Sequence, residues 1–278
     1  TLLDRGIEPH FVTALDYHEM SKRFFENIAD FGRTHLVIEP KVTWHVPDTF
    51  RGPISVIDSS FARLLVGDAL AARAGLKAGA TVAHLAFYLA VYLGCDPIIL
   101  VGQDLAYTNH VYYSPGVAMH SLWRPQLNRF CTMEMMEWER IVRSRPILMK
   151  VKDIHGRNLY TDEQLFTYLQ QFEGDFAHFP GRVIDATEGG VRKSGTKLMS
   201  LSEVARQFCL KDIPPDLLAY RQRTRWYDPA NLEKAREELV KRLKEFARGT
   251  ARASAHALVQ FTKGGFALVT DFLLTMSG

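Results

Sequence analysis

Polar residues stand directly after three short apolar runs, each of which predicts a β-strand. Asp16 follows FVTAL, Gln103 and Asp104 follow IILVG, and the segment 187–190 (TEGG) follows VIDA. Ligands of open parallel sheets bind outside the carboxyl ends of the strands, where carboxylates and amides can hydrogen-bond a ligand or accept a proton. The pattern therefore predicts a site at one sheet edge. The alternative is that each polar residue caps the following helix or turn through backbone N–H groups.

A small-residue segment, KAGATVAH (77–84), is a second candidate binding element. Gly79 allows a close approach of the backbone to a ligand, and Thr81 lies where a helix is predicted to begin. The free N–H groups and the dipole of a helix N-terminus suit a phosphate. Alternatively, Thr81 is a plain helix cap, and His84 is a packing residue on the helix face.

The aperiodic segment 105–127 contains three tyrosines, two prolines, a glycine and the histidines His110 and His120. A loop histidine near a carboxylate is a candidate general base. The alternative for either histidine is an exposed position in a variable loop.

The segment 188–197 (EGGVRKSGTK) begins with Glu188 and mixes three glycines, the first of them Gly189, with Arg192, Lys193 and Lys197. Such a loop can hold an anionic group, because backbone N–H groups and cations converge there. It can equally be a solvated turn.

The elements that must position these residues alternate between strands and helices. Strands are predicted at 11–15, 34–40, 54–58, 97–103 and 182–187, and helices at 17–28, 59–76, 82–94, 128–144, 161–176, 201–209 and 231–247. A hairpin is predicted to turn at His155-Gly156, and Thr161, with Gln164, is predicted to cap the next helix. This alternation indicates parallel βαβ units in an α/β layered domain.

Composition and charge narrow the function classes. The chain has 278 residues, 47% of them hydrophobic, and a net charge of +3, which is too mild to indicate nucleic-acid binding. The local basic excess lies at 219–250, with nine Lys/Arg and five Asp/Glu. It predicts either a patch for an anionic surface or a solvated helix face.

The cysteine count and the absence of several common motifs narrow the possible function classes further. Three widely spaced cysteines argue against a disulfide framework or a zinc site and fit a reducing cytoplasm. No apolar run reaches the ~18 residues of a membrane span. GxGxxG, GxxxxGK[ST], HExxH, GxSxG and DxD are all absent.

A boundary is predicted at Pro214-Pro215, which separates a catalytic domain (1–213) from a C-terminal helical domain (214–278). The second domain contains the amphipathic helix 231–247 and an apolar tail, predicted to be a docking helix.

Four segments resemble the motility-associated factor (Maf) family of the MptE-like superfamily. They are FVTALDYHE (11–19), the stretch 79–108 ending in GCDPIILVGQDLAYT, the stretch 151–173, and IDATEGGVRKSGTKLMSL (184–201). A more distant resemblance connects GAT (79–81) and GQDLAY (102–107) with bacterial Rossmann-like sialyltransferases. The resemblance implies a Rossmann-like, mainly parallel sheet with flanking helices, in a sialyltransferase-like arrangement.

The resemblance also implies an activity. Members of the family are bacterial, cytoplasmic glycosyltransferases thought to move nonulosonic acids, such as pseudaminic or legionaminic acid, from a CMP-sugar to Ser/Thr of flagellin. This reaction supports flagellum assembly and motility. Family members carry a glycine-rich GPSL-type loop upstream of where this chain begins, so domain 1–213 is expected to lack it.

The implied roles fall on the motif residues. Gly79 and Thr81 would hold donor phosphate or ribose, and Asp16 and Asp104 would orient hydroxyls, or one would act as base. Gly102 would allow close approach, and Gln103 would hydrogen-bond the base or sugar. The catalytic candidates are Asp104 and, from the loop residues alone, His110 and His120. The base of the sialyltransferases is a histidine farther downstream of the GIDxY phrase, so the resemblance assigns that role to neither histidine. The opposite side of the pocket would be closed by Thr187, Glu188, Gly189 and Arg192.

Two other functions stay open. A Mg²⁺-dependent pyrophosphokinase, as in the hydroxymethylpterin diphosphokinase branch, would use ATP, with Asp16 and Asp104 as metal ligands. A non-catalytic flagellin-binding adaptor would use the basic C-terminal helices as a docking surface.

Overall fold

The computed structural model describes residues 2–26, 28, 31–57, 59, 76–77, 79–113, 117–143, 147–211 and 229–252. The chain divides into two compact units, the first comprising Thr1–Ile57 and Ala74–Gln222 and the second Asp58–Arg73 and Arg223–Gly278. All described strands lie in the first unit, and the described helix of the second is Pro229–Arg252. The predicted boundary at Pro214-Pro215, the apolar tail and most of the predicted helix 59–76 lie outside the described residues, and the division at 213/214 stays a prediction.

The first sheet is parallel, in the order β1-β2-β3. Its strands are β1 (Phe11–Ala14), β2 (His35–Ile38) and β3 (Ile54–Val56), with Ala14 opposite Ile38 and Ile38 opposite Val56. Both faces are covered by apolar clusters. Strands buried on two faces show nearly continuous apolar runs, which is why the sequence marks them clearly.

The second sheet is also parallel, in the order β4-β7-β8. Its strands are β4 (Ile98–Leu100), β7 (Val183–Asp185) and β8 (Lys197–Leu198). Between β4 and β7 the chain forms the predicted hairpin, β5 (Leu148–Lys152) antiparallel to β6 (Asn158–Asp162). The α/β class with parallel strands and flanking helices is confirmed, whereas the parallel strands form two separate three-stranded sheets.

Seven α-helices lie in the described residues. The seven helices are α1 (His45–Thr49), α2 (Val82–Tyr92), α3 (Ala118–Trp123), α4 (Met133–Arg143), α5 (Glu163–His178), α6 (Leu201–Phe208) and α7 (Pro229–Arg252). Two of these helices, α2 and α5, position the sheets. Leu85 and Leu89 of α2 pack under the first sheet, and Phe87 and Tyr88 pack against β4, β7 and α5. Because α2 packs against both sheets, it is their common core element, whereas Val82, Val91 and Tyr92 on its remaining surface are exposed.

The position of α2 defines a switch point. It contacts both β1 and β4, and Thr13 Oγ1 of β1 donates to the carbonyl of Val82 at 3.0 Å. One sheet extends from β1 through β2 to β3 and the other from β4 through β7 to β8. Ligands of open α/β sheets bind where the strand order reverses in this way, outside the carboxyl ends of the strands.

The cap of α5 differs from the prediction. Asp162, and not Thr161, is the N-cap, because its Oδ1 accepts the N–H of Leu165 at 2.8 Å. Thr161 is buried in β6 and donates to the carbonyl of Leu105 at 2.8 Å. Gln164 bonds the Tyr168 hydroxyl rather than completing a capping box.

Three other helix predictions also change. The predicted helix 17–28 is a 3₁₀ helix over Glu19–Phe24. The predicted helix 128–144 begins only at Met133, because Asn128 and Cys131 pair with each other in a short turn. The predicted loop 105–127 contains α3 and two 3₁₀ turns. No helix within the described ranges is long and apolar enough to cross a membrane.

Candidate functional site

The tips of β4 and β7 are joined by hydrogen bonds. The N–H of Gln103 donates to Thr187 Oγ1 at 3.2 Å, and the N–H of Thr187 donates to Asp185 Oδ1 at 3.1 Å. Two predicted site residues from distant parts of the chain, Gln103 and Thr187, are thus in direct contact. The Thr187 side chain is held by this contact at the sheet edge.

The same two loops cross closely at Gly190. The N–H of Val191 donates to the carbonyl of Asp104 at 2.8 Å. Gly190 has a φ of +71°, and a Cβ there would lie 2.4 Å from Asp104 Cα. Only glycine fits where the two loops cross this closely, so the backbone geometry explains the last glycine of the IDATEGG phrase. Neighbouring Gly189 lies beside the Thr108 methyl group, and Glu188 is exposed with a φ of +60°.

The start of α2 is built around Gly79 and Thr81. Gly79 is buried, and a Cβ there would lie 2.6 Å from the backbone nitrogen of Leu85. Thr81 Oγ1 accepts the N–H of His84 at 3.2 Å and shares a 2.8 Å hydrogen bond with His84 Nδ1. Thr81 is therefore a helix cap. The N–H groups of the first two helical residues, 82 and 83, have no intrahelical acceptor.

His84 supports this cap from inside the protein. Its side chain is fully buried and stacks on Phe172 with a centroid separation of 3.7 Å. Burial lowers the pKa of His84, because the charged imidazolium is disfavoured there. Because the ring is buried and stacked, the packing alternative for His84 is confirmed.

His120 is held by an acid that the sequence analysis missed. Its Nε2 lies 2.7 Å from Glu137 Oε1 of α4. Glu137 is only 5% exposed. Its Oε2 accepts the N–H groups of Tyr112 at 2.5 Å and Tyr113 at 3.0 Å. The available signal was helical spacing, because Glu137 shares the buried face of α4 with Ile141, four residues later.

Aromatic rings connect this histidine to the β4 loop. The His120 ring contacts Trp123 at 5.3 Å and Tyr113 at 6.4 Å. Tyr112, next in the chain to Tyr113, stacks on Tyr107 at 5.6 Å. Arg140 covers Tyr112 and Trp123 with its guanidinium. The side chain of the other predicted base, His110, lies outside the described residues.

Tyr107 ties the loop to the hairpin. Its hydroxyl donates to Asp162 Oδ2 at 2.5 Å, and its N–H donates to the carbonyl of Tyr160 at 2.8 Å. Burial, followed by the hydrogen bond to Asp162, raises the pKa of Tyr107 above its usual range. The hydroxyl is therefore a fixed donor at neutral pH.

A buried ion pair beneath the β7 tip was also missed. Lys193 Nζ donates to Asp185 Oδ2 at 2.8 Å and to the carbonyl of Val191 at 3.1 Å. The two charged side chains are 0% and 1% exposed. The pair closes the loop 186–192 onto its own strand, and Lys193, predicted as a loop cation for a ligand, is instead structural.

Three predicted residues lie apart from these contacts. Asp16 is exposed at the β1 tip, where its carbonyl accepts the N–H of Thr43 at 3.0 Å. Gly102 is exposed with a φ of +71°. Arg192 is exposed and reaches β5 only through its N–H, which donates to the carbonyl of Lys152 at 3.0 Å. Within the described ranges, no three His, Cys, Asp or Glu side chains are grouped as a metal site. The assigned roles of the site residues stay predictions.

Comparisons with known proteins agree with this architecture. The family model described as 6-hydroxymethylpterin diphosphokinase MptE-like matches residues 1–110, which span β1 to β4 and α2. The solved Maf glycosyltransferase from Magnetospirillum magneticum AMB-1 shares the fold, with a TM-score of 0.52 and 18% identity over 85% of this chain. The chain spans 31% of that protein. No curated protein matches in a sequence search. Together the family-model match and the shared fold support the predicted assignment to the Maf/MptE-like family.

Proposed function

We propose that the chain is the donor-binding and catalytic part of a cytoplasmic glycosyltransferase. It would transfer a nonulosonic acid of the pseudaminic or legionaminic type from a CMP-sugar to Ser/Thr hydroxyls of flagellin, as flagellum assembly and motility require. The fold shared with a Maf glycosyltransferase supports the coarse reaction class. The donor and the acceptor follow from the resemblance described above.

The observation that carries the proposal is the N-terminus of α2 at the switch point. Gly79 brings the backbone close to the first turn, and two N–H groups there lack intrahelical acceptors. A CMP-sugar carries one phosphodiester, and oriented N–H groups with a helix dipole stabilise such an anion without a metal. Because the Thr81 hydroxyl is engaged by His84, the backbone rather than Thr81 would bind the phosphate.

The β4 and β7 tips would shape the sugar side of the pocket. The Gln103–Thr187 contact and the Asp104–Gly190 crossing make this edge rigid. A rigid edge can place Asp104 against donor hydroxyls with little loss of conformational entropy on binding. Asp16, exposed at the β1 tip, would contribute from the opposite side of the switch point.

The transfer reaction would require removal of one proton from the acceptor hydroxyl. The acceptor oxygen forms a bond to the anomeric carbon, the bond from that carbon to the CMP phosphate oxygen breaks, and the electron pair leaves on the phosphate. His120 is the candidate base, because a buried carboxylate orients it. The N–H groups at the start of α2 would stabilise the charge that develops on the leaving phosphate.

Isothermal titration of the folded chain tests the donor site. We expect CMP to bind without added metal, and Gln103→Ala with Asp104→Ala to weaken it about tenfold or more, the equivalent of about 1.4 kcal/mol. Arg143→Ala, an exposed change on α4, is the control and should leave binding unchanged. Failure of the wild-type chain to bind CMP, CMP-sugar or their Mg²⁺ complexes would refute the proposal.

The family model favours a second candidate, a pyrophosphokinase. In that case ATP would bind in preference to CMP and only with Mg²⁺, since a triphosphate needs cation neutralisation. A third outcome, capture of flagellin without binding of any nucleotide, would indicate the adaptor.

A further inference from the structure

The carboxylate of Glu137 is the centre of a buried hydrogen-bond network beside the predicted site. It lies on the inner face of α4 and binds three donors, the N–H groups of Tyr112 and Tyr113 at Oε2 and the imidazole of His120 at Oε1. A buried carboxylate is costly unless its oxygens are satisfied, and three hydrogen bonds satisfy this one. The network therefore has one arrangement rather than several.

The arrangement assigns the protons of the ring. Two backbone N–H groups can only donate, so Oε2 is an acceptor, and three donors around one side chain suit the carboxylate form of Glu137. Its other oxygen, Oε1, then also accepts, and Nε2 of His120 must carry the proton. With a single ring proton at Nε2, the lone pair lies at Nδ1, for which no protein hydrogen bond exists within the described ranges.

We propose that Glu137 is a positioning residue that holds His120 in the Nε2–H tautomer, and that Nδ1 of His120 is the atom that takes the acceptor proton. This inference rests on the proposed transferase function. When the acceptor hydroxyl attacks, its proton moves to Nδ1, and the resulting imidazolium is stabilised by the Glu137 carboxylate through Nε2–H. A nucleophile, a base and an orienting carboxylate form the arrangement common to many acyl- and group-transfer sites.

The network also connects the base to the donor edge. The carboxylate that orients His120 anchors the backbone of Tyr112, and Tyr112 stacks on Tyr107, three residues beyond Asp104. The charged groups around the ring are Glu137 and, across Trp123, Arg140. A change at Glu137 is therefore expected to affect the chemical step more than nucleotide binding at α2.

The substitution Glu137→Gln gives a directional test. The two backbone N–H groups require an oxygen, so the amide oxygen should occupy the Oε2 position and the amide NH₂ should face His120. The ring must then accept at Nε2 and carry its proton at Nδ1. We expect long-range ¹H–¹⁵N NMR spectra to show the Nε2–H tautomer in the wild type and the Nδ1–H tautomer in the variant, with His120→Gln identifying the signals.

Activity provides the second readout. Transfer measured with the complete protein should fall in kcat by about 10²–10⁴-fold in Glu137→Gln, the usual contribution of a general base. CMP affinity should be unchanged. The matched control is Glu139→Gln on the same helix, whose exposed carboxylate pairs with Arg143 and should change neither tautomer nor kcat.

Each outcome decides a separate part of the inference. An Nδ1–H tautomer in the wild type, or an unchanged tautomer in a folded Glu137→Gln, overturns the positioning role. A tautomer that inverts without any loss of kcat overturns the base role. If the wild type transfers no sugar, the proposed function fails and the base role with it, whereas the tautomer result still stands. His120→Gln retains a donor for Glu137, so it tests the base even if Glu137→Gln does not fold.

Discussion

Replacing Lys193 with methionine should remove the cation beneath the β7 tip and leave the Asp185 carboxylate buried. The two side chains are 0% and 1% exposed, and their charged atoms are 2.8 Å apart. After the change, Asp185 keeps only the N–H of Thr187, and the carbonyl of Val191 loses a donor. Removing one partner of a buried ion pair typically costs about 3–5 kcal/mol, so we expect a loss of that size in the free energy of unfolding.

Urea denaturation followed by far-UV circular dichroism measures this loss. The midpoint should fall while the slope stays constant, since the surface exposed on unfolding is nearly the same. We also expect weaker CMP binding, because Asp185 orients Thr187 and Thr187 accepts from Gln103. The double change Lys193→Met with Asp185→Leu should recover much of the stability, since no buried charge remains.

The chain provides its own control pair nearby. Arg182 and Asp96 join the starts of β7 and β4 at 3.2 Å, with side chains 61% and 48% exposed. Exposed pairs contribute about 0–1 kcal/mol, so Arg182→Met should cost less than about 1 kcal/mol. If Lys193→Met were as mild as this control, the reasoning from burial would be refuted.

Two further predictions concern the β4 loop and its partners. Gly190→Ala should cost about 3–5 kcal/mol, since a positive φ and a backbone clash at 2.4 Å combine there, whereas Gly102→Ala, at the same φ of +71° with open space around it, should cost only about 1 kcal/mol. Tyr107 should make stability fall as the pH rises above its unfolded pKa of 10.0, because its folded pKa is raised by burial and by Asp162, and Tyr107→Phe should flatten this dependence.

Both predictions have clear contrary results. Equal losses for the two glycine variants in urea denaturation would mean that the Asp104 crossing relaxes freely. For Tyr107, the melting temperature between about pH 9 and pH 11 is the measurement, since the unfolded phenol ionises in that interval. A melting curve with the same alkaline dependence in Tyr107→Phe would show that other groups control it.

Particular residues show why some of the site was predictable. The strand tips at Asp16, Gln103 and Thr187 followed from local pattern, because an apolar run that ends in a polar residue marks both the strand and its end. The α2 cap at Thr81 followed from small residues before an apolar helix. Both signals are contained within about ten residues of chain.

Other residues were missed because their meaning depends on distant partners. The sequence predicted Lys193 to be a loop cation for a ligand, whereas in the structure its side chain pairs with the buried Asp185. Asp162, and not Thr161, caps α5, because the Thr161 hydroxyl donates to the carbonyl of Leu105 and is not available to the helix. Glu137 lies in a polar helix whose only sign of burial is spacing, and its partners lie 17 to 25 residues away.

The sequence by itself determined the α/β class, the parallel strands and the loops that end at the sheet edge, because these depend on local periodicity and short motifs. Only the tertiary structure decided that the parallel strands form two sheets around α2, that Gly190 crosses Asp104, and that Glu137 holds His120. Those features depend on atoms brought together from separate elements, where burial decides which polar groups pair. Pairing of that kind leaves little trace in the order of residues along the chain.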